Sequence, residues 1–317
     1  MIDFEGRVVV ITGGSRGLGL ELSRVFASEG ARLALVARDP GELERATAEL
    51  ATRGADVRAW SCDVRDPESV RATVAGIGAT YGRIDVLVHD AGVIAGGPLA
   101  HMEAADFEDA MAVHFFAPLR LTIEALPLID RPGGRIVTIA SIAGLVAVPH
   151  LAAYSASKFA EVGLSDGLRA ELAAEGIRVT TVCPGLMRTG SHINAWFKGR
   201  HGSEFTLFTL LDSSPLTSID AARAARRIVE ACRRGEPFLV LSPHARLLRL
   251  AAALAPNATA EAMALAARFL PAPDGPRGDE LRRGRDSTTA LAPSVLTSLA
   301  DRASARNNEL PRPVVGM

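Results

Sequence analysis

The sequence predicts an α/β fold of the doubly wound kind. It has a Rossmann-like parallel sheet of about seven strands, helices on both faces, and a helical extension at the C-terminus. Three observations carry this. Short, wholly apolar, β-rich runs alternate with stretches of helical periodicity from residue 7 to about residue 242. Strands apolar throughout belong to a sheet buried on both sides. A glycine cluster stands between the first run and the first helical stretch, and right-handed crossovers then gather ligands at the carboxyl ends of the strands.

The predicted strands cover 7–12, 32–37, 57–61, 84–88, 135–140, 178–183 and 238–241. Helices lie near 17–29, 40–53, 67–81, 103–127, 151–175 and 218–234, and together these elements make one domain over 1–243. Within it, 186–217 carries Trp196, Phe197, Phe205 and Phe208 among Gly and Ser with no strand pattern. An aromatic segment placed after a strand's carboxyl end reads as a lid over a ligand cleft, or else as an ordinary surface excursion. Residues 244–317 form the extension, with helix patterns at 244–255 and 259–270 and a last short helix near 294–305. Between them, the Pro/Gly/Arg-rich stretch around 271–287 is expected to be a flexible linker. Arg246, Arg249 and Arg268 among Leu, Ala and Phe leave two readings of 244–270. The favoured one is packing on the parent domain or a second subunit; the other is an amphipathic membrane-surface helix.

Composition narrows the function classes. A formal net charge of −1 over 317 residues recruits neither nucleic acid nor an anionic membrane. The three cysteines, Cys62, Cys183 and Cys232, are far apart and in no CxxC pair, which argues against a disulfide framework or a metal site. With no signal-peptide pattern and no long apolar run, the expectation is a cytoplasmic protein without a transmembrane segment. Only two of the basic residues are lysines, Lys158 and Lys198, and only two tyrosines occur, Tyr81 and Tyr154.

After the first strand comes Thr12-Gly13-Gly14-Ser15-Arg16-Gly17-Leu18-Gly19. Glycines there permit a tight turn and close approach of the backbone to a pyrophosphate seated on a helix N-terminus. The end of the second strand chooses the dinucleotide. NAD calls for a carboxylate on the ribose 2′-hydroxyl and NADP for arginine on the 2′-phosphate. The strand ends in Arg38, and Arg16 can reach the same ribose, so NADP(H) is preferred. NAD(H) stays open because Asp39 can pair with Arg38 or take the hydroxyl.

Residues 154–158 read Tyr-Ser-Ala-Ser-Lys near the start of a predicted helix, so Tyr154 and Lys158 share a face one turn apart. An ammonium about 4 Å from a phenolate favours it by roughly 4 kcal/mol at an effective dielectric of 20, which suits an acid/base near neutral pH. Ser141 follows a strand at its carboxyl end, where a hydroxyl can hydrogen-bond a substrate oxygen. The lysine stands out because arginine replaces it almost everywhere else, and a guanidinium lacks its compact charge.

With these motifs in order, the chain resembles a short-chain dehydrogenase/reductase over residues 5–242. The likeness adds Asp63 in CDV, Asp90-Ala91-Gly92, and Pro184-Gly185 followed by Thr189. It implies an NAD(P)-binding catalytic domain that moves a hydride between the nicotinamide and a carbonyl/alcohol pair. Tyr154 would be the general acid/base, Lys158 would also bind the nicotinamide ribose, and Ser141 would orient the substrate oxygen. Asp63 and Val64 would contact adenine, Asp90, Ala91 and Gly92 would line the cofactor, and Thr189 would meet the carboxamide. Two positions depart from the family pattern, which has asparagine both at Asp90 and at His114. An ionised aspartate accepts but does not donate, and an imidazole can hold a relay water or titrate itself. Both departures keep open a nucleotide-binding regulatory protein without turnover. Analogy further implies a homodimer or homotetramer, and the apolar lid, with Leu186, points to an apolar carbonyl or alcohol.

Overall fold

A computed structural model describes residues 1–310. Seven strands form one parallel sheet: β1 (Val8–Thr12), β2 (Arg32–Ala37), β3 (Val57–Ser61), β4 (Val86–His89), β5 (Arg135–Ile139), β6 (Arg178–Cys183) and β7 (Phe238–Val240). Their spatial order is β3-β2-β1-β4-β5-β6-β7, every pair parallel. The order reverses between β1 and β4, so a crevice opens at the carboxyl ends of those two strands.

Alternation along the strands sorts the core into two layers. Val9 and Ile11 of β1, Leu33 and Leu35 of β2, and Val86 and Val88 of β4 face one cluster. Three helices cover it: α1 (Gly17–Ser28), α2 (Pro40–Thr52) and α8 (Ala221–Arg234). Val8, Val10, Ala34, Val36 and Leu87 face the opposite cluster. That face is covered by α3 (Pro67–Tyr81), by α4 (Ala104–Met111) running into α5 (Ala117–Ala125), and by α6 (Ala152–Leu172). The expected single helix over 103–127 is broken, because residues Ala112–Phe116 form a π-helical turn that carries His114.

The expectations diverge from the structure beyond β6. The lid region is not irregular: Leu186–Arg188 pairs with Ser218–Asp220, and α7 (His201–Ser213) follows. Its aromatics make a small core of their own, with Phe197 and Phe205 buried against each other and against Ala195 and Ala292. The stretch around 271–287, read as a flexible linker, is instead tied down. Arg282–Arg283 pairs antiparallel with Trp196–Phe197, Arg283 covers the Trp196 ring, and Gly278 and Gly284 are buried. Backbone pairing and close glycine contacts supply the order that low hydrophobicity did not predict.

Helices α9 (Pro243–Leu254) and α10 (Pro256–Ala267) pack on each other but bury only Ala245 and Thr259. Leu247, Leu250, Leu254 and Leu265 stay exposed, so packing on the parent domain is slight. The last helix, α11 (Ser298–Arg306), docks firmly: Arg306 reaches Glu21 and Asp220, and the Ser304 hydroxyl donates to the Gly190 carbonyl. Among the described residues, no helix is long and apolar enough to cross a membrane.

Phe26 on α1 is fully buried and meets Phe4 edge-on at 5.0 Å. Phe26→Ala is expected to lower unfolding free energy by about 3–5 kcal/mol, read from urea denaturation; a loss below about 1 kcal/mol would contradict this packing.

Candidate active site

The loop from β1 to α1 is shaped by contacts that leave no room for side chains. A Cβ on Gly19 would lie 2.2 Å from the Gly13 carbonyl oxygen, and one on Gly13 would lie 3.0 Å from the Ala91 nitrogen. Gly13 and Gly17 also have φ of +74° and +58°, which favours glycine. The Thr12 hydroxyl accepts from the amides of Asp90 and Ala91 and donates to Val88, locking the ends of β1 and β4 together. The first turn of α1 therefore presents its free N–H groups at the switch-point crevice, a ready seat for an anion. Leu18 is buried beneath that turn.

The seat is already occupied. The C-terminal segment returns after α11 and lays Glu309 beside Gly17, its Oε1 2.8 Å from where a Cβ of Gly17 would stand. The Gly17 amide donates to the Asn307 carbonyl at 2.9 Å. A dinucleotide phosphate fits the same donors, so the loop suits a nicotinamide cofactor, and the tail lies across it.

At the adenosine end, Arg38 is exposed and in no ion pair among the described residues, while Arg16 pairs with Glu42 at 2.9 Å. Glu42 also accepts from the Ser15 hydroxyl at 3.0 Å. Asp39 neither pairs with Arg38 nor stands free, since it caps α2 by accepting from the Glu42 amide at 2.9 Å. Asp63 is held by Arg65 at 2.6 Å, which keeps its carboxyl below the usual range. Val64, beside it, is buried.

At the other end, α6 delivers Tyr154 and Lys158 to the carboxyl end of β5. The Lys158 ammonium lies 5.7 Å from the Tyr154 ring centroid. It donates to the Ile139 carbonyl at 2.9 Å and to Glu161 at 2.7 Å. Burial alone would lower the ammonium's pKa, but Glu161, Tyr154 and Asp90 outweigh it and hold it raised. Burial pushes the Glu161 carboxyl up to about 7 against the pull of Lys158. Ser141 is buried at the start of a short turn, its Oγ accepting from the Ala143 amide at 3.1 Å. Pro184 takes a bond from Ile142 and so ties this turn to the end of β6. Gly185 packs against Ser242 and His244, and Thr189 is buried across the crevice from Gly17.

The two unusual residues find distinct settings. His114, fully buried, accepts from the Val93 amide through Nε2 at 3.1 Å, so Nδ1 carries the proton and donates to Ser157 Oγ at 2.8 Å. Ser157 in turn donates to the Tyr154 carbonyl at 2.9 Å. Burial, together with Lys158, holds the imidazole well below its ordinary pKa. Its ring stands edge-on to Tyr154 at 5.4 Å, and it lies behind Gly92. Asp90 is pushed well above the usual carboxylate range, chiefly by burial. Protonated, it both donates and accepts, as an asparagine does. Sequence reasoning missed Glu161, Glu42 and the tail residues Asn307, Asn308 and Glu309. Glu161 was visible as an acid three residues after Lys158, on the same helix face; the tail gave no signal.

The short chain dehydrogenase family model matches residues 7–197. A putative ketoacyl reductase of the granaticin polyketide synthase from Streptomyces violaceoruber is 40% identical over 185 residues, 57% of this chain and 68% of that protein. Dehydrogenase/reductase SDR family member 7B of Danio rerio is 35% identical over 247 residues, 76% of this chain and 78% of the relative. Among solved structures, L-sorbose reductase from Gluconobacter frateurii, complexed with NADPH and L-sorbose, superposes with a TM-score of 0.68. It is 26% identical and covers 76% of this chain and 97% of its own. A Burkholderia phymatum short chain dehydrogenase/reductase in complex with NAD gives 0.72 at 26% identity, covering 87% and 99%.

Because both imidazole nitrogens of His114 are engaged and burial opposes its charge, its ring 15N signals are expected not to titrate between about pH 5 and 8. A midpoint near the ordinary histidine value in an NMR titration would contradict this environment.

Proposed function

The chain belongs to the short-chain dehydrogenase family, and on that footing we propose an NADP(H)-dependent oxidoreductase acting on a carbonyl/alcohol pair. The observation that carries the reading is Tyr154 with Lys158 on one face of α6, the ammonium 5.7 Å from the phenol ring. A nicotinamide bound here supplies or takes up the hydride; the side chains handle the proton. The Tyr154 hydroxyl protonates the substrate oxygen in reduction and recovers the proton in oxidation. Ser141 orients that oxygen by hydrogen bonding. The Lys158 ammonium stands beside the Tyr154 ring and binds the ribose, and Glu161 positions it by accepting its hydrogen bond at 2.7 Å. His114 positions the Tyr154 backbone through Ser157, in place of carrying the relayed proton itself. The presence of Ser141, Tyr154 and Lys158 together favours turnover over a regulatory role that keeps only the fold.

The preference for NADP(H) rests on Arg38, exposed and without an ion pair among the described residues, with Arg16 nearby to bind a 2′-phosphate. A specific observation supports NAD(H) as the second reading: Glu42 holds Arg16 and Ser15 and offers a carboxylate that a 2′-hydroxyl could meet. Turnover at equal subsaturating NADPH and NADH separates the two, and faster turnover with NADH would reverse the assignment. The substrate's apolar character rests on Leu186, half-buried, since Phe197, Phe205 and Phe208 pack together in a core of their own. The expected oligomer has exposed apolar side chains to cover at Phe116, Ile123 and Phe159 as well as on α9 and α10.

The enzyme reading is tested by NADPH consumption over a carbonyl panel. Tyr154→Phe is expected to lower kcat by about 10²–10⁴-fold, and equal rates in variant and wild type would overturn it. Glu161 is expected to ionise only above about 7, beside the Lys158 ammonium. It faces Lys158, Asp90 and Cys183. Glu161→Gln removes that titration, so an inflection near pH 7 in the wild-type rate profile is expected to be lost in the variant. An unmoved profile would show that Glu161 does not act through Lys158.

A further inference from the structure

The C-terminal segment bridges both walls of the crevice, and three consecutive residues do the work. Asn307 is fully buried. Its carbonyl takes the Gly17 amide at 2.9 Å, and its side-chain amide donates to the Thr189 carbonyl at 2.9 Å. Asn308 adopts φ +58°, a left-handed conformation that asparagine tolerates better than most residues. That turn lets its amide donate to the Ser15 carbonyl at 2.8 Å, while its Oδ1 accepts from Arg45 at 2.6 Å. It also sends Glu309 back into the crevice, where the side chain is only 3% exposed.

The Glu309 carboxylate has the company a phosphate would seek. It lies beside the first turn of α1, where the helix dipole favours negative charge. Arg16 Nε stands 3.5 Å from Oε2, and the Asn194 amide donates to the same oxygen at 2.6 Å. The opposite wall is close: a Cβ on Gly17 would sit 3.9 Å from the Thr189 Cβ. With the tail in place, the Glu309 carboxyl fills the crevice between Gly17 and Thr189, and the Gly17 amide has no hydrogen left to give.

We infer that Asn307–Glu309 is an intramolecular competitor for the cofactor: the Glu309 carboxylate holds the place of a dinucleotide phosphate, and the segment must withdraw before the cofactor seats. The inference rests on the dinucleotide reading above. The free chain then divides between a closed form, with the tail in the crevice, and an open form that binds. Apparent affinity is reduced by the open fraction. Because Asn308 also holds the Ser15 and Glu42 carbonyls, the segment covers the path from the pyrophosphate seat toward the adenosine end.

The test measures Kd for NADPH and NADH by titration with wild type, Glu309→Ala, and a chain ending at Arg306. Hydrogen exchange of residues 307–310 is followed in the wild type with and without dinucleotide. Both variants should bind about tenfold tighter, the gain expected when the competent form is a tenth of the population, and bound dinucleotide should speed exchange in the tail. Dinucleotide binding with Kd unchanged or weaker in the variants, or slower tail exchange on binding, overturns the competitor and leaves the cofactor reading standing. Failure of all three proteins to bind either dinucleotide overturns the cofactor reading and the competitor with it.

Discussion

Everything at the site depends on how closely α1 is set on the loop that precedes it. Gly19 lies so near the Gly13 carbonyl that a single added carbon would come within 2.2 Å of it, and within 2.8 Å of Asp90 Oδ2. That closeness fixes the entry of α1 directly off β1 and aims its free N–H groups at the crevice where strand order reverses. Thr12 then ties the end of β1 to the end of β4 with three hydrogen bonds. The crevice is thus a consequence of backbone packing, and the side chains that line it are placed afterwards.

Charge is distributed there in an unusual way. One buried ammonium, Lys158, sits among carboxyl groups, Glu161 in contact and Asp90 further out, and Glu309 faces Asp90. Water cannot screen these groups, so ionising all of them at once is costly, and burial answers by holding Glu161, Asp90 and Glu309 toward their protonated forms. A protonated Asp90 recovers the donor that an ionised aspartate lacks. The two departures from the family pattern are therefore compatible with a working site, one by protonation and the other by a histidine fixed as a neutral hydrogen-bonding bracket.

Much of this was legible in the sequence, for physical reasons. The strands announced themselves because a sheet covered on both faces needs apolar residues throughout, and Tyr154 and Lys158 because helical spacing puts them on one face. The π-helical turn at His114 was not legible, since one widened turn leaves the apolar periodicity of its neighbours nearly intact. Phe197 and Phe205 read as cleft-lining aromatics, yet their partners, Ala195 and Ala292, include a residue nearly a hundred positions away. The segment around 271–287 has the composition of a linker and is ordered by pairing with Trp196 and Phe197, which composition does not encode. Least visible was the tail: Glu309 meets Gly17 only because α11 docks beside Gly190 and Glu21.

A crystal structure of the chain with NADPH decides whether the tail and the dinucleotide share one seat. The expected structure has a pyrophosphate on the first turn of α1 between Gly17 and Thr189, the nicotinamide beside Tyr154 and Lys158, and Asn307–Glu309 withdrawn. A dinucleotide bound there with the Gly17 amide still on Asn307 and Glu309 still in the crevice would contradict it.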